Sequence, residues 1–224
     1  MIITIDGPAA SGKSTAAIGV AKNLGITYLD TGAMYRAVTY GLIENKISFE
    51  NSNHLKKFLS EIDIKFSESE SRLLLRLNGC DISKEIRSKI VTKHVSEVSA
   101  LKTVRKSLVR IQRKMAEIDD CVLEGRDIGT VVFPNADFKF FFIASDEARA
   151  NRRLDDLIKV GDKNPGDFEI VLEELITRDY KDSTRDHSPL KKADDALEID
   201  TTHLTINEVV NKIVNTVNQK RTLY

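Results

Sequence analysis

The chain has 224 residues, a length between one large domain and two small ones, of which 41% are hydrophobic and 30% charged. This composition excludes a disordered chain, and the balance of 34 basic against 34 acidic residues argues against a bulk electrostatic grip on nucleic acid or an anionic membrane. Because no apolar run approaches the roughly 18–20 residues that cross a bilayer, and the N-terminus lacks the marks of a secretory signal, we expect a cytoplasmic protein without nucleic-acid or membrane partners.

The first part of the chain alternates short strands with helices. An apolar strand over residues 2–5 is followed by a helix over 13–24, which stops at Gly25, a residue type that readily takes the left-handed conformation of a helix end. Residues 26–29 predict a second strand, and 32–44 predict a second helix with apolar residues on a shared face. This order favours a parallel sheet covered by helices, which is the α/β class.

The middle of the chain predicts a small antiparallel sheet inserted into this pattern. Apolar and charged residues alternate over 62–66 and again over 73–77, with a polar stretch between the two runs. Asn78–Gly79 supplies a tight turn into residues 80–82. Helices are predicted to follow over about 84–118.

The last part of the chain returns to the α/β pattern. Strands are predicted where apolar residues run together, two helices flank a turn at 161–166, and Thr205 with Glu208 forms a capping box for the final helix. In chain order these predicted elements are strands over 122–123 and 138–143, helices over 146–160 and 167–182, a strand over 196–200 and a helix from 205.

The turn between the first strand and the first helix matches a phosphate-binding loop. Residues 7–14, Gly-Pro-Ala-Ala-Ser-Gly-Lys-Ser, fit the pattern G-x-x-x-x-G-K-[ST] at every position. The glycines let backbone N–H groups approach phosphate oxygens, Lys13 supplies a point charge, and the Ser14 hydroxyl completes a Mg²⁺ shell. An ordinary glycine-rich turn is the alternative, but the position between a strand and a helix favours a nucleoside triphosphate site.

This loop alone does not identify the reaction, because switches, ATPases and kinases share it. A GTPase switch should also show the patterns D-x-x-G and N-K-x-D. None of the eleven glycines stands three residues after an aspartate, and Asn45-Lys46 is followed by Ile-Ser. The sequence therefore argues against a guanine-specific switch.

Arginines and aspartates in other segments suit a second substrate that carries phosphate. Arg36 lies one turn into the second predicted helix, Arg105 lies on a helix after the small sheet, and Arg126-Asp127 directly follows a strand. Three further residues of this kind lie near the C-terminal end of the pair of predicted helices that flank the turn at 161–166, namely Arg178, Asp182 and Arg185. A guanidinium binds phosphate oxygens in pairs and keeps its charge. Singly, most of these side chains could be solvated charges or surface ion pairs, but beside the loop they favour phosphoryl transfer to a nucleotide.

Five sequence blocks occur in an order that resembles the bacterial cytidylate kinase family. They are residues 7–15, 29–36, 77–87, 125–134 and 178–190, and the block Gly-Arg-Asp-Ile-Gly-Thr-Val-Val-Phe-Pro at 125–134 is highly specific. The resemblance spans essentially the whole chain. It implies a P-loop parallel sheet flanked by helices, a small antiparallel-sheet insert that binds the nucleoside monophosphate, and a helical lid. The implied ranges are a core of 1–36, 119–150 and 186–224, an insert over about 37–118 and a lid over about 151–185.

The resemblance also implies an activity and the residues that carry it. The family transfers a phosphoryl group from ATP to CMP or dCMP with Mg²⁺, giving CDP or dCDP in pyrimidine nucleotide metabolism. The implied catalytic residues are Lys13, Arg126 and Arg185. ATP binding is implied for Gly7, Pro8, Ala9, Ala10, Ser11, Gly12, Lys13, Ser14, Thr15, Arg149 and Arg153, with Ser14 also at the metal. CMP binding is implied for Thr31, Arg36, Ser96, Arg105, Arg126, Asp127, Arg178, Asp182 and Arg185.

Within this set the resemblance assigns parts of the acceptor. Arg36 and Arg126 are implied to hold the CMP phosphate, and Ser96, Arg105 and Asp127 to read the cytosine. The base assignment is chemically sensible, because the N4 amino group of cytosine needs an acceptor while N3 and O2 need donors. The ribose and phosphate contacts are implied for Arg178, Asp182 and Arg185. Glu124 stands where an aspartate is common in the family, and we expect little consequence.

The predicted mechanism needs no general base, because CMP attacks with an oxygen of its own phosphate, which is largely dianionic at neutral pH. The four histidines are therefore expected at surface or packing positions. Cys80 and Cys121 lack metal-type spacing and are expected to be buried small hydrophobic residues. We expect a monomer. Two alternatives stay open: a small P-loop kinase for UMP, AMP or a non-nucleotide acceptor, and a nucleotide-dependent switch without transfer chemistry.

Overall fold

The computed structural model describes residues 1–50, 52–69, 72–159 and 166–221. Packing divides the chain into two units, one of Met1–Tyr28 with Asp119–Tyr224 and one of Leu29–Ile118. By packing, residues 29–36 thus belong with the predicted insert. The functional division into core, insert and lid stays a prediction.

In the first and last parts of the chain, the helices and strands occur in the order that the sequence predicted. In chain order they are β1 (Ile2–Asp6), α1 (Lys13–Leu24), β2 (Thr27–Asp30), α2 (Thr31–Glu44), α3 (Asn53–Glu61), β3 (Ile64–Ser69), β4 (Arg72–Leu77), β5 (Cys80–Asp81), a 3₁₀ turn (Glu85–Arg87), α4 (Lys89–Ala100), α5 (Lys102–Ala116), β6 (Cys121–Gly125), a π-helical turn (Ile128–Val132), β7 (Phe138–Ile143), α6 (Asp146–Lys159), α7 (Phe168–Thr184), β8 (Leu197–Asp200) and α8 (Ile206–Arg221). Within the described stretches, no helix is both long enough and apolar enough to span a membrane.

The first unit contains strands β1, β6, β7 and β8 of a five-stranded sheet in the order β2-β6-β1-β7-β8. β1 pairs in parallel with β6 and with β7, and β7 pairs in parallel with β8. Every residue of β6 is buried, as expected for a strand covered on both faces. Asp6 at the end of β1 lies opposite Gly125 at the end of β6, so the segments that leave these strands begin side by side. The predicted α/β class is confirmed.

The sequence predicted where α1 ends and how α8 begins, and both predictions are confirmed. Gly25 takes φ 66° and donates its N–H to the Ala21 carbonyl, which ends α1. Before α8, the Thr205 N–H donates to the Glu208 carboxylate at 2.8 Å, and the Glu208 N–H donates to the Thr205 hydroxyl at 3.4 Å. Both helices contribute to the core of this unit, which includes Ile5, Val20, Phe140, Phe142, Ile199 and Ile213.

The second unit contains the predicted antiparallel sheet, in the order β3-β4-β5. Its predicted turn is confirmed, because Asn78 and Gly79 take φ of 51° and 83°. Helix α3, which was not predicted from the sequence, begins where the Ser52 hydroxyl accepts the Leu55 N–H at 3.2 Å. The alternation of apolar residues predicted a strand from residue 62. Ile62 instead forms the C-terminal cap of α3, and β3 begins two residues later, at Ile64.

The two cysteines differ in their surroundings. Cys121 is buried in β6, as predicted. The prediction for Cys80 is wrong, because this residue is exposed on β5, a two-residue strand at the edge of the small sheet. The predicted lid turn at 161–166 lies outside the described residues except for Gly166, as does the predicted helix end at residue 160.

Candidate active site

The phosphate loop, residues 7–14, runs from the end of β1 to the start of α1. Gly7 takes φ 150°, and a Cβ at this position would lie 2.5 Å from the Phe142 carbonyl oxygen, so the backbone here requires glycine. Gly12 takes φ 88° and forms the N-cap of α1. Because the first N–H groups of a helix have no acceptor within it, this geometry suits an anion at the start of α1.

Lys13 lies inside the loop and is only 5% exposed. Its Nζ donates to the Pro8 carbonyl at 2.5 Å and to the Ser11 hydroxyl at 3.3 Å. Burial, followed by the positive charge of Arg126, lowers the pKa of Lys13 to about 7. A phosphate in the loop would favour the charged ammonium again, so the lysine is placed to respond to an anionic ligand.

A serine and a buried carboxylate meet at the start of α1. The Ser14 hydroxyl donates to Glu124 Oε1 at 2.5 Å, and the Tyr28 hydroxyl lies 3.3 Å from the same oxygen. Glu124 is 6% exposed and lies on β6 opposite Ile5 of β1. Oxygen ligands of this kind fit Mg²⁺, which takes one or two protein oxygens and completes its shell with phosphates and water. Glu124 therefore joins Ser14 as a candidate for the metal, and only its place at the end of a predicted strand could have indicated this.

Four side chains from two segments form a buried charged cluster beyond the end of β6. Arg126 Nε donates to Asp182 Oδ2 at 2.9 Å, and the Arg185 guanidinium lies 3.8 Å from Asp182 and 3.5 Å from Asp127. The two aspartates are 3% and 4% exposed. A solvated surface pair does not fit this burial, and the bond from Arg126, which lies outside α7, links the Arg126–Asp127 segment to that helix.

The charges in this region influence each other strongly. Burial alone would raise the pKa of Asp182, but the charges of Arg126, Arg178 and Arg185 outweigh it and hold that pKa below its usual range. Burial and then the charge of Arg126 lower the pKa of Arg178 to about 10. Because Arg126 depresses the pKa values of both Lys13 and Arg178, cations from three segments lie close together. An anionic ligand between such cations would relieve their repulsion, and phosphate suits guanidinium groups best.

Helices α6 and α7 hold the phosphate loop at Ala9. Asp179 accepts the Ala9 N–H at 3.1 Å, and Arg149 donates to the Ala9 carbonyl at 3.2 Å and to the Asp179 carboxylate. Arg149 is 4% exposed and also pairs with Asp146. The structure therefore places Arg149 against the backbone of the loop, while Arg153 is half-buried on α6. No role was predicted for Asp179 from the sequence, because nothing in its local pattern indicates a contact with the loop.

A second set of hydrogen bonds reaches the loop from the end of β8. The Thr201 hydroxyl lies 3.0 Å from the Ser11 carbonyl and 3.2 Å from the Ile143 carbonyl, and it accepts a bond from Arg152 at 3.1 Å. The Thr201 N–H also donates to Ile143 at 2.8 Å. The shape of the loop is thus set by the surrounding helices and sheet as well as by its own glycines.

The second unit contains the other predicted CMP-binding residues, beginning with two on α2. Thr31 is the first residue of this helix and is buried. Arg36 donates to the Ile86 carbonyl at 3.0 Å and to the Thr92 hydroxyl at 2.9 Å. These bonds hold the Arg36 side chain across the 3₁₀ turn and the start of α4, so this arginine is not simply solvated.

Arg105 and Ser96 lie on α5 and α4 of the same unit. Arg105 is 4% exposed, donates to the Ser99 carbonyl at 3.1 Å and places its guanidinium carbon 5.2 Å from the centre of the Tyr35 ring. Ser96 is half-buried. Because Arg105 is buried, it is not a solvated surface charge, which was one of the two interpretations that the sequence alone allowed.

The structure brings together the predicted site residues that belong to the first unit. Hydrogen bonds, ion pairs and mutual effects on pKa connect Lys13, Arg126, Asp127, Arg178, Asp182 and Arg185, and Ser14 bonds Glu124 at the end of the neighbouring strand. The second unit carries Thr31, Arg36, Ser96 and Arg105.

Comparison with known proteins gives matches over nearly the whole chain. The family described as cytidylate kinase matches residues 3–219. The chain is 47% identical to a cytidylate kinase of Halalkalibacterium halodurans over 220 residues, which cover 98% of each protein. It is 50% identical to a cytidylate kinase of Bacillus cereus over 216 residues, which cover 96% of this chain and 95% of that protein.

Solved structures of more distant proteins share the fold. A shikimate kinase from Bacteroides thetaiotaomicron matches with a TM-score of 0.50 over 97% of this chain and 98% of its own, at 9% identity. A protein of uncharacterized function from Eubacterium ventriosum matches with a TM-score of 0.53 over 98% of each chain, at 11% identity. At such low identity these similarities show the fold alone.

Proposed function

Because the chain belongs to the cytidylate kinase family and is therefore a kinase that phosphorylates CMP, we propose that it transfers the γ-phosphoryl group of ATP, with Mg²⁺, to CMP and dCMP, giving CDP and dCDP. One observation carries the proposal. The phosphate loop and the Arg126–Asp127 turn leave neighbouring parallel strands at Asp6 and Gly125, which lie opposite each other. Ligands of open α/β sheets bind at such carboxyl ends, so donor and acceptor can face each other there.

The donor side rests on the loop. Its backbone N–H groups and Lys13 would hold the β- and γ-phosphates of ATP. Ser14 and Glu124 would hold Mg²⁺, which when bound neutralises charge on the donor phosphates. The buried position of Lys13 supports this role, since a charge acts more strongly on phosphate where water is excluded.

The acceptor side rests on the cationic cluster. Arg126 and Arg185 would hold the CMP phosphate close to the donor, and Arg178 and Asp182 would contact the ribose and phosphate. Asp127 would accept a hydrogen bond from the N4 amino group of cytosine. No general base is needed, because the attacking phosphate oxygen is already ionised, so catalysis comes from position and from charge stabilisation.

The remaining acceptor contacts are assigned from the family resemblance. We assign Arg36 to the CMP phosphate, Ser96 and Arg105 to the base, and Thr31 to the CMP site. Arg149 and Arg153 would act on the ATP side, and a lid over 151–185 would exclude water from the reaction. The monomeric state and the cytoplasmic location stay predictions.

A steady-state panel of acceptors tests the proposal. We expect ADP to form rapidly from ATP and Mg²⁺ when CMP or dCMP is present, slowly with UMP or AMP, and at a negligible rate without an acceptor. Removal of Mg²⁺ with a chelator should abolish the reaction. A rate of hydrolysis that does not depend on the acceptor would support a nucleotide-dependent switch instead, and a higher kcat/KM for UMP or AMP would contradict the proposed substrate.

Replacing Asp127 with alanine is expected to raise KM for CMP by about 10–100-fold, since a charge-assisted hydrogen bond to the base is lost. KM for ATP should change much less. In Asp127→Asn the amide can donate to O4 of uracil, so the ratio of UMP to CMP turnover should rise. Initial rates with each substrate varied separately measure both effects, and equal increases in the two KM values would rule out a base-reading role.

Replacing Glu124 with glutamine is expected to raise the Mg²⁺ concentration that gives half-maximal activity by about tenfold or more. The glutamine amide can still accept from the Ser14 hydroxyl, but the negative charge is gone. KM for CMP should remain close to that of the wild type. Titration of initial rates with Mg²⁺ at fixed ATP provides the measurement, and an unchanged Mg²⁺ dependence would remove Glu124 from the metal site.

A further inference from the structure

Asp6 is a buried carboxylate at the end of β1, directly before the phosphate loop, and it is 4% exposed. Its Oδ1 accepts the Ile128 N–H at 2.8 Å, and its Oδ2 accepts the Gly129 N–H at 2.7 Å. Both N–H groups open the π-helical turn Ile128–Val132. One side chain thus connects the start of the donor loop to the turn that directly follows Asp127.

The N-cap position of this turn is occupied by Asp127. An aspartate in that position usually accepts an N–H two or three residues later with its own side chain. Across the part of the chain that the structure describes, Asp127 makes no such capping bond, and its carboxylate lies 3.5 Å from the Arg185 guanidinium. Asp6 caps the turn from the neighbouring strand, so the Asp127 carboxylate is not needed for capping.

The contact between the turn and β1 is tight. A Cβ on Gly129 would lie 3.0 Å from Thr4 Oγ1 and 3.4 Å from Asp6 Oδ2. An ionised carboxylate can accept an N–H at each of its two oxygens. An asparagine at this position could not, because it offers one acceptor oxygen and turns its NH₂ donor toward the other N–H. Burial raises the pKa of Asp6 to about 6, a rise that the two N–H bonds oppose, so the group is ionised at neutral pH.

We propose that Asp6 is a positioning residue for the acceptor: by capping the turn in place of Asp127, it keeps the Asp127 carboxylate directed to the acceptor base. This role rests on the proposed binding of CMP by Asp127. Outer partners of this kind set the orientation of the residues that touch a ligand, and their loss commonly lowers affinity or activity by about 10–100-fold.

The central test replaces Asp6 with asparagine. We expect KM for CMP to rise by about tenfold or more, with KM for ATP changed by less than about threefold. Hydrogen exchange at the Gly129 amide should accelerate by at least about tenfold as its acceptor is lost. The matched control is Asp137→Asn, because Asp137 is an exposed carboxylate that accepts the Ile2 N–H at 2.6 Å at the other end of β1. This control should change neither KM nor the Gly129 exchange rate.

A double variant shows whether Asp6 acts through Asp127. If it does, Asp6→Asn should raise KM for CMP by less than about threefold in an Asp127→Ala background, because coupled residues are not additive. Full additivity, or equal increases in the KM values for CMP and ATP, would overturn the proposal. Should Asp6→Asn fail to fold, Gly129→Ala disturbs the same contact from the other side and should give the same KM pattern.

Amide exchange in the wild type separates this proposal from the proposed function. Strong protection of the Ile128 and Gly129 amides is expected whatever the substrate, and rapid exchange at both would overturn the capping role of Asp6. Failure of CMP in the acceptor panel would instead contradict the proposed function, and it would leave the exchange result as an independent measure of the cap.

Discussion

The Lys13→Ala variant is expected to lose about 10²–10³-fold in kcat, since it removes the preorganised cation that we propose acts on the transferring phosphoryl group. Lys22, an exposed lysine on the same helix, provides the matched control, and Lys22→Ala should keep wild-type rates. Initial rates at saturating CMP and ATP measure the effect. Near-normal turnover in Lys13→Ala would contradict the proposed donor site.

The stability of this variant separates lost catalysis from lost structure. The pKa of Lys13 is about 7 in the folded chain, against 10.5 for an ordinary lysine. Between these values the unfolded chain binds more protons than the folded chain, so this group makes the free energy of unfolding rise with pH from about 7 to 10.5. Below about pH 7 the lysine is charged in the folded and unfolded chains alike, so the whole cost of burying its charge opposes folding.

Removing Lys13 removes that opposition, and the Pro8 carbonyl keeps the Ser11 hydroxyl as a donor at 3.0 Å. We therefore expect Lys13→Ala to be at least as stable as the wild type at neutral pH, with a flatter dependence on pH above it. Denaturant unfolding of both proteins at several pH values, without nucleotide or metal, checks this. A marked loss of stability in the variant would mean that Lys13 supports the fold rather than the reaction.

Replacing Arg126 with alanine should have an effect at least as large, about 10³–10⁵-fold in kcat, which is the range for an arginine that stabilises phosphoryl transfer. Its guanidinium is positioned by the Asp182 carboxylate at 2.9 Å and lies close enough to Lys13 to depress its pKa. In the proposed mechanism it would act on donor and acceptor phosphates together. Arg126→Lys keeps a charge but loses the planar fork, so we expect it to recover only part of the activity.

Single-turnover rates and KM values for both substrates distinguish this role from a structural one. An exposed arginine at the far end of the chain, Arg221, serves as the control, because its pairing with Asp120 at 3.3 Å lies outside the charged cluster. Activity within tenfold of the wild type in Arg126→Ala would contradict the proposed position of this residue between the two phosphates.

Much of the donor site could be predicted because its determinants are local. The loop over 7–14 is set by glycines whose backbone angles other residues rarely adopt, and the helix that follows supplies its own N-terminal N–H groups. The Asn78–Gly79 turn and the cap at Gly25 were predictable for the same reason. In each case the physical cause acts within a few residues of its effect.

The local sequence did not determine which side chains are buried or which charged groups pair. Cys80 was expected to be buried, but exposure depends on which strand lies beyond it, and β5 is at an edge. Nothing in the local sequence around Asp179 or Glu124 indicates their partners, because their contacts with Ala9 and Ser14 span 170 and 110 residues. Their importance depends on which donor each carboxylate meets in the folded chain.

The sequence by itself determined the α/β class, the phosphate loop and the family to which the chain belongs, because these depend on local conformation and on the identity and order of motifs. Only the tertiary structure decided that Asp6 caps the turn after Asp127, that Arg126 pairs with Asp182, and which cations share one buried space. The reason is that a charged group acquires its pKa and its role from neighbours that folding brings to it from distant parts of the chain.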